Sequence, residues 1–497
     1  MSYYKTILRN SRKVETLPML KQLIFYISIF QGISSLGQSF SDFTQEEIKE
    51  DIEFVFNSIQ NVHPDSNILS LETKEHIISS LNSQFYSESD AFFILNGFLK
   101  KLNDGHSNIK FSSVRARQLI RHGVFFPYEL EFFDSTAVVV GHINGLETDA
   151  IGNEIFKINQ IPIKEILTDL SVVAMKDGEN NDSMEDWIAD DFWFYFTLYN
   201  GFRNSYSISY LKDGSEIHEI AKARTRISHI RNGILSDFRN TPLEFYYENE
   251  VPILKIHSFE KRDKIWWRRE LNSIMSRLNE NQDSNLVIDF RGNGGGQEEL
   301  QNILLETFGI DATEKYLSEQ YKTVEWSTLS GVNNKFIEKL KAFGLKRFIY
   351  TKKDSENYRS KKLQTTKKKN ESKFSGGLFI LVDGATFSCG SDAAAILREH
   401  YDNALVLGTE TRGSGKENYA GYFLHITLPN TGFELRIPRV KYVINTNKYH
   451  KDSGVIPDIL VQADKKDLVN GKDTQLNAAL NLMAARSTSQ ALIGIKP

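Results

Sequence analysis

Ser388 stands directly before Cys389, the only cysteine of the chain, in the stretch GATFSCGSD over residues 384–392. The apolar run LFILV precedes it and AAAILREH, which reads as a helix, follows. A hydroxyl or thiol displayed at a strand-to-helix turn can attack an acyl carbon once a base removes its proton. The thiol would need a neighbouring histidine or the helix start to ionise, and in an oxidising compartment a free thiol is lost to oxidation. The flanks do not spell the G-x-S-x-G elbow, because Gly390 fits but Thr386 fills the other glycine position.

A second stretch carries chemistry. LVIDFRGNGGG, residues 286–296, is an apolar strand that breaks into Gly292, Gly294, Gly295 and Gly296. The dinucleotide fingerprint G-x-G-x-x-G fails, since its third glycine falls on Gln297 or on Glu299, and no phosphate-binding Gly-Lys-Ser/Thr follows. Consecutive glycines let a backbone approach a ligand and aim N–H groups at it. An oxyanion hole needs such donors, each worth roughly 3–4 kcal/mol in a transition state. A plain tight turn is the structural alternative.

The elements that must position these residues follow from patterning. TQEEIKEDIEFVFNSIQNVH opens with Thr44 and Glu47 spaced as a capping box, and Ile48, Ile52, Val55 and Ile59 recur at helical spacing. SDAFFILNGFLKKLN reads as another helix, ending at DGHSN. From about residue 123 to 225 short β-like runs dominate, including AVVVGHI, NEIFKINQIPI and SYSISYL. Then VPILKIHSF, WWRRELNSIMSRLNE, NLVIDF and EELQNILLETF alternate strand and helix, which indicates βαβ construction around a largely parallel sheet. Residues 351–375 are strongly basic and apolar-poor, as expected of a solvated loop or of a lid facing the substrate. The aromatic run DDFWFYFTLYNGF suits core packing or the lining of an apolar cleft.

With 497 residues the chain exceeds one compact core, so two or three domains are expected. The net charge of −4 gives no electrostatic reason for a nucleic-acid partner. A single cysteine excludes an internal disulfide and a Cys-rich metal site. Residues 1–37 combine a basic leader with the apolar stretch LIFYISIFQGISSLG, the layout of a secretory signal cleaved after Gly37. That stretch is too short and too polar for a stable membrane span, so the protein is expected to be exported: periplasmic, in the cell envelope or secreted.

LVIDFRGNGGG, LVDGATFSCGSD, GTETRGSGKENYAG, LPNTG and GVIPD, in that order and preceded by LNDGHSNIKF, resemble the tail-specific or C-terminal-processing serine peptidases, in particular their tricorn-core-like branch. The resemblance spans about residues 45–465. It implies an α/β fold with a crotonase-like peptidase core over 239–465, interrupted by the basic insertion 351–375. It also implies an N-terminal helical region over 38–125, a PDZ-like β-rich middle domain over 126–238 and a C-terminal helix over 466–497. Ser388 would be the nucleophile of a serine endopeptidase acting on peptide or protein substrates through an acyl-enzyme, without metal or cofactor. The Cys389 amide would form one half of the oxyanion hole, and Gly294 or Gly295 the other.

The family uses two bases. One branch pairs its serine with a lysine, but Gly413 or Ser414 fills that position here and Lys416 lies just beyond, while Ser391 stands where that branch has an acid. The other branch uses a histidine in a D-G-H element, which His106 matches, and imidazole suits proton transfer near neutral pH. His106 is therefore the expected base and Lys416 the alternative. Asp452, in KDSGVIPD, is the expected orienting acid, with Asp104 and Glu410 as further candidates; His400 would point away on the helix after Ser388. A catalytically silent peptide-binding protein on the same scaffold, and an esterase or amidase, are the competing readings.

Overall fold

The structure, a computed structural model, describes residues 42–144, 148–178, 184–212, 215–225, 241–322, 331–348, 350–354, 357–360 and 374–493. The expected signal over 1–37, residues 226–238 of the middle region and much of the basic insertion lie outside the described residues. The chain folds as a mixed α/β protein with N-terminal helices, antiparallel sheets and a mixed, mostly parallel sheet. Among the described residues no helix is long and apolar enough to cross a membrane.

Helix α1 (Gln45–Val62) starts at the capping box: the Glu47 amide donates to Thr44 Oγ1 and the Glu47 carboxylate accepts the Thr44 N–H at 2.8 Å. Its apolar stripe Ile48, Ile52, Val55 and Ile59 is fully buried. After α2 (Leu71–Ser80) and α3 (Glu88–Lys100), the chain runs through the DGHSN loop into β1 (Asn108–Lys110) and α4 (Ser113–His122). Strand β1 pairs antiparallel with Glu434–Ile437, more than 300 residues away, placing Ile109 opposite Leu435 and Asn108 opposite Arg436. This pairing carries the N-terminal loop to the late part of the chain.

The middle region is an antiparallel sheet in the order β2 (Tyr128–Phe133), β3 (Thr136–His142), β4 (Glu154–Ile158), β5 (Ser205–Lys212), β6 (Ser215–Lys222). Between β4 and β5 lie α5 (Ile163–Leu170) and α6 (Met184–Asn200). Helix α6 carries the aromatic run, and its rings are core: Phe192, Trp193, Phe194 and Phe196 are each at most 2% exposed. Phe126 meets Phe192 edge-on at 5.4 Å and Phe196 at 5.5 Å, the geometry the ring quadrupoles favour.

The third unit is a six-stranded sheet in plain sequence order: β7 (Leu243–Glu248), β8 (Val251–Ile256), β9 (Asn285–Asp289), β10 (Gly377–Val382), β11 (Ala404–Gly408) and β12 (Ile459–Leu460). Only β7 runs antiparallel. Helix α7 (Lys264–Glu280) joins β8 to β9, α8 (Glu298–Thr307) follows β9 and α9 (Cys389–His400) follows β10. Both faces are covered, so the strands are continuously apolar. Leu286, Ile288, Leu378 and Ile380 pack toward these helices, while Val287, Phe379 and Leu381 pack with Leu476, Ala479 and Met483. The latter three belong to the last helix, α11 (Thr474–Ile493), which follows the short α10 (Lys465–Val469). The turns after β9, β10 and β11 thus open at the C-terminal edge of a parallel sheet, where such folds build their sites.

Candidate active site

Ser388 occupies the N-cap position of α9 with φ 54° and ψ −127°. A non-glycine residue in that region costs about 1–3 kcal/mol, so its surroundings must hold it there. They do so through the β10 turn: Thr386 Oγ1 donates to the Phe290 carbonyl, Asp383 accepts the Gly292 N–H, and the Phe387 N–H donates to the Asn293 carbonyl at 2.9 Å. The Ser388 turn and the glycine turn are therefore one hydrogen-bonded unit. A Cβ added at Gly295, whose φ is 93°, would sit 2.7 Å from Ser388 Cβ, so only glycine admits this approach.

His106 reaches the same point from the loop after α3. Its Nε2 lies 3.1 Å from Ser388 Oγ, a hydrogen bond spanning 282 residues of sequence. Asp104 shapes the loop by accepting the His106 N–H at 2.8 Å on Oδ1 and the Ser107 N–H at 3.0 Å on Oδ2. The same Oδ2 meets His63 Nε2 at 3.2 Å, while His63 Nδ1 accepts the Asp65 N–H, which places the His63 proton on Nε2 as the donor to Asp104. Burial would raise the Asp104 carboxyl, but the hydrogen bonds it accepts from His63 and the Ser107 hydroxyl help hold it below the usual carboxylate range.

The imidazole sits in a column of rings. Phe387 stacks on it at 4.4 Å and Phe423 faces its other side at 5.9 Å. Arg412 lies 4.1 Å over Phe387 and Arg436 lies 3.4 Å over Phe423, so each phenyl is backed by a guanidinium. Burial pushes the His106 imidazolium down to about pKa 3, with Arg436 and Arg412 adding to the shift and Asp104 opposing it. The ring is a neutral acceptor at neutral pH.

A strap from the middle region ties the site together. The Asp177 N–H donates to the Arg412 carbonyl and the Gly178 N–H to the Asn103 carbonyl. The Asp177 side chain accepts the Gly105 N–H at 2.8 Å and the Ser414 N–H at 3.3 Å. One carboxyl thus joins the His106 loop to the turn after β11. Burial, and then the charge of Asp104, holds this carboxyl well above the usual range.

The remaining expected residues divide. The Cys389 amide, at the first position of α9, has no intrahelical acceptor and faces the Gly295 turn, its nitrogen 3.1 Å from the point where a Gly295 Cβ would sit. The Gly295 amide donates to Asn293 Oδ1 at 2.8 Å. The Cys389 thiol points to the Gly296 carbonyl at 3.5 Å, and burial pushes its pKa up to about 12. It is a protonated filler, not a rival nucleophile. Lys416 Nζ donates to the Thr446 carbonyl and not to Ser388. Glu410 accepts the Gly454 N–H at 2.6 Å. His400 is exposed at the end of α9.

The expectation for Asp452 needs correcting. Its side chain is exposed, while its backbone packs against Gly178, where a Cβ would meet the Asp452 carbonyl at 2.6 Å. That close backbone packing turns the carboxylate to solvent, and the acids beside the imidazole are Asp104 and Asp177. Among the described residues His106 Nδ1 has no hydrogen-bond partner; Asp104 Oδ1 lies 3.8 Å from it. Donor atoms of Asp104, His106 and Asp177 fall within 4.8 Å of one another, the one grouping among the described residues able to close on a metal ion. Its carboxylate oxygens are already taken by N–H donors of Gly105, His106, Ser107 and Ser414. Asp177, Phe387, Phe423, Arg412 and Arg436 carried no sequence signal of a role at the site, since each is an ordinary residue made relevant by contacts across the fold.

Residues 250–461 match peptidase family S41. The chain carries a domain of this family. Among solved structures it is similar to mature CPAF, at 15% identity and TM-score 0.54, over 86% of this chain and 94% of that one. It is also similar to mature CPAF complexed with lactacystin, at 14% identity and TM-score 0.55, over 86% and 96% of the two chains. A CPAF mutant aligns at 14% identity and TM-score 0.60, over 86% and 95%. At these identities the likeness concerns the fold. No curated protein matches the sequence. The S41 match begins just before β8 and ends at β12, so it contains Ser388, the glycine turn and the turn after β11, while His106 and Asp177 lie ahead of it.

Proposed function

We propose that the protein is an exported serine endopeptidase, with Ser388 as nucleophile and His106 as base. The Nε2–Oγ separation of 3.1 Å carries this reading. Ser388 Oγ attacks the carbonyl carbon of a peptide bond while its proton passes to His106 Nε2. The carbonyl oxygen takes the displaced electron pair and is held by the amides of Cys389 and Gly294. The imidazolium returns the proton to the leaving amine as the C–N bond breaks. Water then adds to the acyl-enzyme carbonyl, giving one proton to Nε2; the C–Oγ bond breaks, Oγ takes that proton back from Nε2, and the carboxylic acid product, neutral His106 and the Ser388 hydroxyl result. The middle sheet would act as a PDZ-like substrate module beside a crotonase-like core, and the signal pattern in residues 1–37 supports export.

The absence, among the described residues, of a hydrogen bond to His106 Nδ1, with Asp104 Oδ1 at 3.8 Å, favours a second reading, a catalytically silent peptide-binding protein, because an imidazolium without a hydrogen-bonded carboxylate is less stabilised. Labelling with a fluorophosphonate, combined with hydrolysis of a peptide library, separates the two. The peptidase reading expects labelling and turnover by the wild type and neither by Ser388→Ala. Equal labelling of both, with no turnover, would overturn it.

A further inference from the structure

The helix Lys335–Phe348 lies in sequence between the strands Tyr316–Tyr321 and Tyr350–Asp354. Its start is tied to the protein body, since Val332 bridges to Ile426 and the Thr427 N–H donates to the Gly331 carbonyl. In its first turn the Glu338 carboxylate is buried and accepts from Arg439 Nη1 at 2.5 Å. Arg439 is itself fully buried, so Glu338 marks the face turned toward the protein.

The opposite face is apolar and in water. Phe336, Leu340 and Phe343 are 73%, 57% and 68% exposed. They follow one another at i, i+4 and i+7, so they form a single stripe. At 3.6 residues per turn, Phe336 and Leu340 each lie about 160° around the helix from Glu338. Single exposed apolar residues are ordinary, but two phenylalanines and a leucine in one stripe mark an interaction surface. Cations flank the stripe: the exposed Lys335 and Lys339 lie along one side, and Lys341, which also pairs with Glu338 at 2.7 Å, lies along the other. Glu338 is the only acid of residues 335–348, and it faces inward. The sequence keeps the same sign in Lys346, Arg347 and the basic stretch 351–375, although the whole chain carries −4. A second copy laid on this face would bring like charges together along the seam. The complementary partner is therefore apolar at its centre and anionic around it.

We infer that the helix Lys335–Phe348 docks on the surface of an anionic lipid bilayer, lying in the interfacial layer. Phe336, Leu340 and Phe343 would enter the boundary between headgroups and acyl chains, and the flanking lysines would meet lipid phosphates. The long apolar stems of the lysines let their ammonium groups stay at headgroup level while the stripe is buried. This attachment lies on the surface and needs no membrane-crossing helix. It is independent of the peptidase reading, because none of these residues belongs to the Ser388 site.

The test places an environment-sensitive NBD fluorophore on full-length Leu340→Cys protein; the native thiol of Cys389 is buried, so the label goes to position 340. Vesicles of phosphatidylcholine with phosphatidylglycerol should raise the NBD emission and shift it to the blue. Phosphatidylcholine alone should need about tenfold more lipid for the same response. Salt should weaken the response to the anionic vesicles, and Lys335→Gln with Lys339→Gln should weaken it about tenfold. Phe336→Ser with Phe343→Ser in the labelled protein should abolish it. These four positions are exposed, so circular dichroism should be unchanged in both double variants. An unshifted probe with anionic vesicles, an equal response to neutral ones, or a response that survives Phe336→Ser with Phe343→Ser would overturn the inference. Vesicle capture through residues 1–37 alone would leave position 340 in water and count against it. A shift that follows protein concentration without lipid would assign the face to a second copy, and a shift with polyglutamate but not with vesicles to an acidic protein; either would overturn the inference. Peptide hydrolysis plays no part in the readout, so failure of the peptidase reading leaves the result standing.

Discussion

Phe387 stacks on His106 with ring centroids 4.4 Å apart, and it is the residue immediately before Ser388. The Ser388 turn therefore supplies one wall for the imidazole. Gly105 makes this possible, since a Cβ there would lie 2.6 Å from the Phe387 ring. Phe387→Leu keeps an apolar wall but loses the flat face, and such a ring contact is worth about 0.5–1.5 kcal/mol beyond area. Misplacing a catalytic group by about 1 Å can cost a further hundredfold. Steady-state kinetics should show kcat lowered by about tenfold to a hundredfold with KM little changed. An unchanged kcat would remove Phe387 from the positioning of the imidazole.

Asp177 joins two loops through one buried carboxyl that accepts an N–H from each, so a replacement that keeps an acceptor should serve better than a truncation. Asp177→Asn keeps an acceptor for the Gly105 N–H and gives up the longer contact to the Ser414 N–H. One such lost bond costs about 1 kcal/mol. Asp177→Ala leaves both amides buried without acceptors, at about 1–3 kcal/mol for each. Thermal denaturation and kcat should both rank wild type, Asn, then Ala. Equal losses for Asn and Ala would mean that the negative charge, and not the strap, is what matters.

The His106 pKa is depressed by burial, so the base stays unprotonated below the range of a free imidazole. The acid limb of kcat/KM should lie well below the ordinary histidine pKa of about 6.5. Linkage gives the matching stability effect. A histidine whose folded pKa is lowered contributes stability that is present above about pH 6.5 and is lost as pH falls toward about 3. His106→Gln should therefore be less acid-sensitive in that window than the wild type. A pH–rate profile with its acid limb at the free-imidazole value would contradict the buried, guanidinium-flanked ring.

Gly295→Ala should abolish activity while the fold survives. The added methyl would lie 2.7 Å from Ser388 Cβ and demand a φ of 93°, so the glycine turn and the nucleophile turn must part. Circular dichroism should be preserved and fluorophosphonate labelling lost. Full labelling of this variant would show that the two turns need not touch.

Local order explains what could be read from the sequence. The Ser388 turn was legible because a buried strand, small residues and a helix follow one another within a few positions. His106 was legible through its short motif, although its partner lies 282 residues away. Asp452 does not reach the imidazole: its carboxylate is exposed and its backbone packs on Gly178, while the neighbouring Asp177, on a different loop, accepts the Gly105 N–H. No local pattern distinguishes Asp177 from any other loop aspartate, because its role comes from accepting two amides contributed by distant loops. The ring column was equally hidden, since Arg412, Phe387, His106, Phe423 and Arg436 come from separate stretches of the chain.

The most direct measurement compares His106→Ala with Lys416→Ala in single-turnover peptide hydrolysis. General-base removal costs about a hundredfold to ten-thousandfold, so His106→Ala should lose at least that much. Lys416→Ala should stay within a few-fold of the wild type, because its ammonium bonds to the Thr446 carbonyl. A His106→Ala enzyme that retains its rate, or a Lys416→Ala enzyme that loses it, would contradict the Ser388–His106 pair.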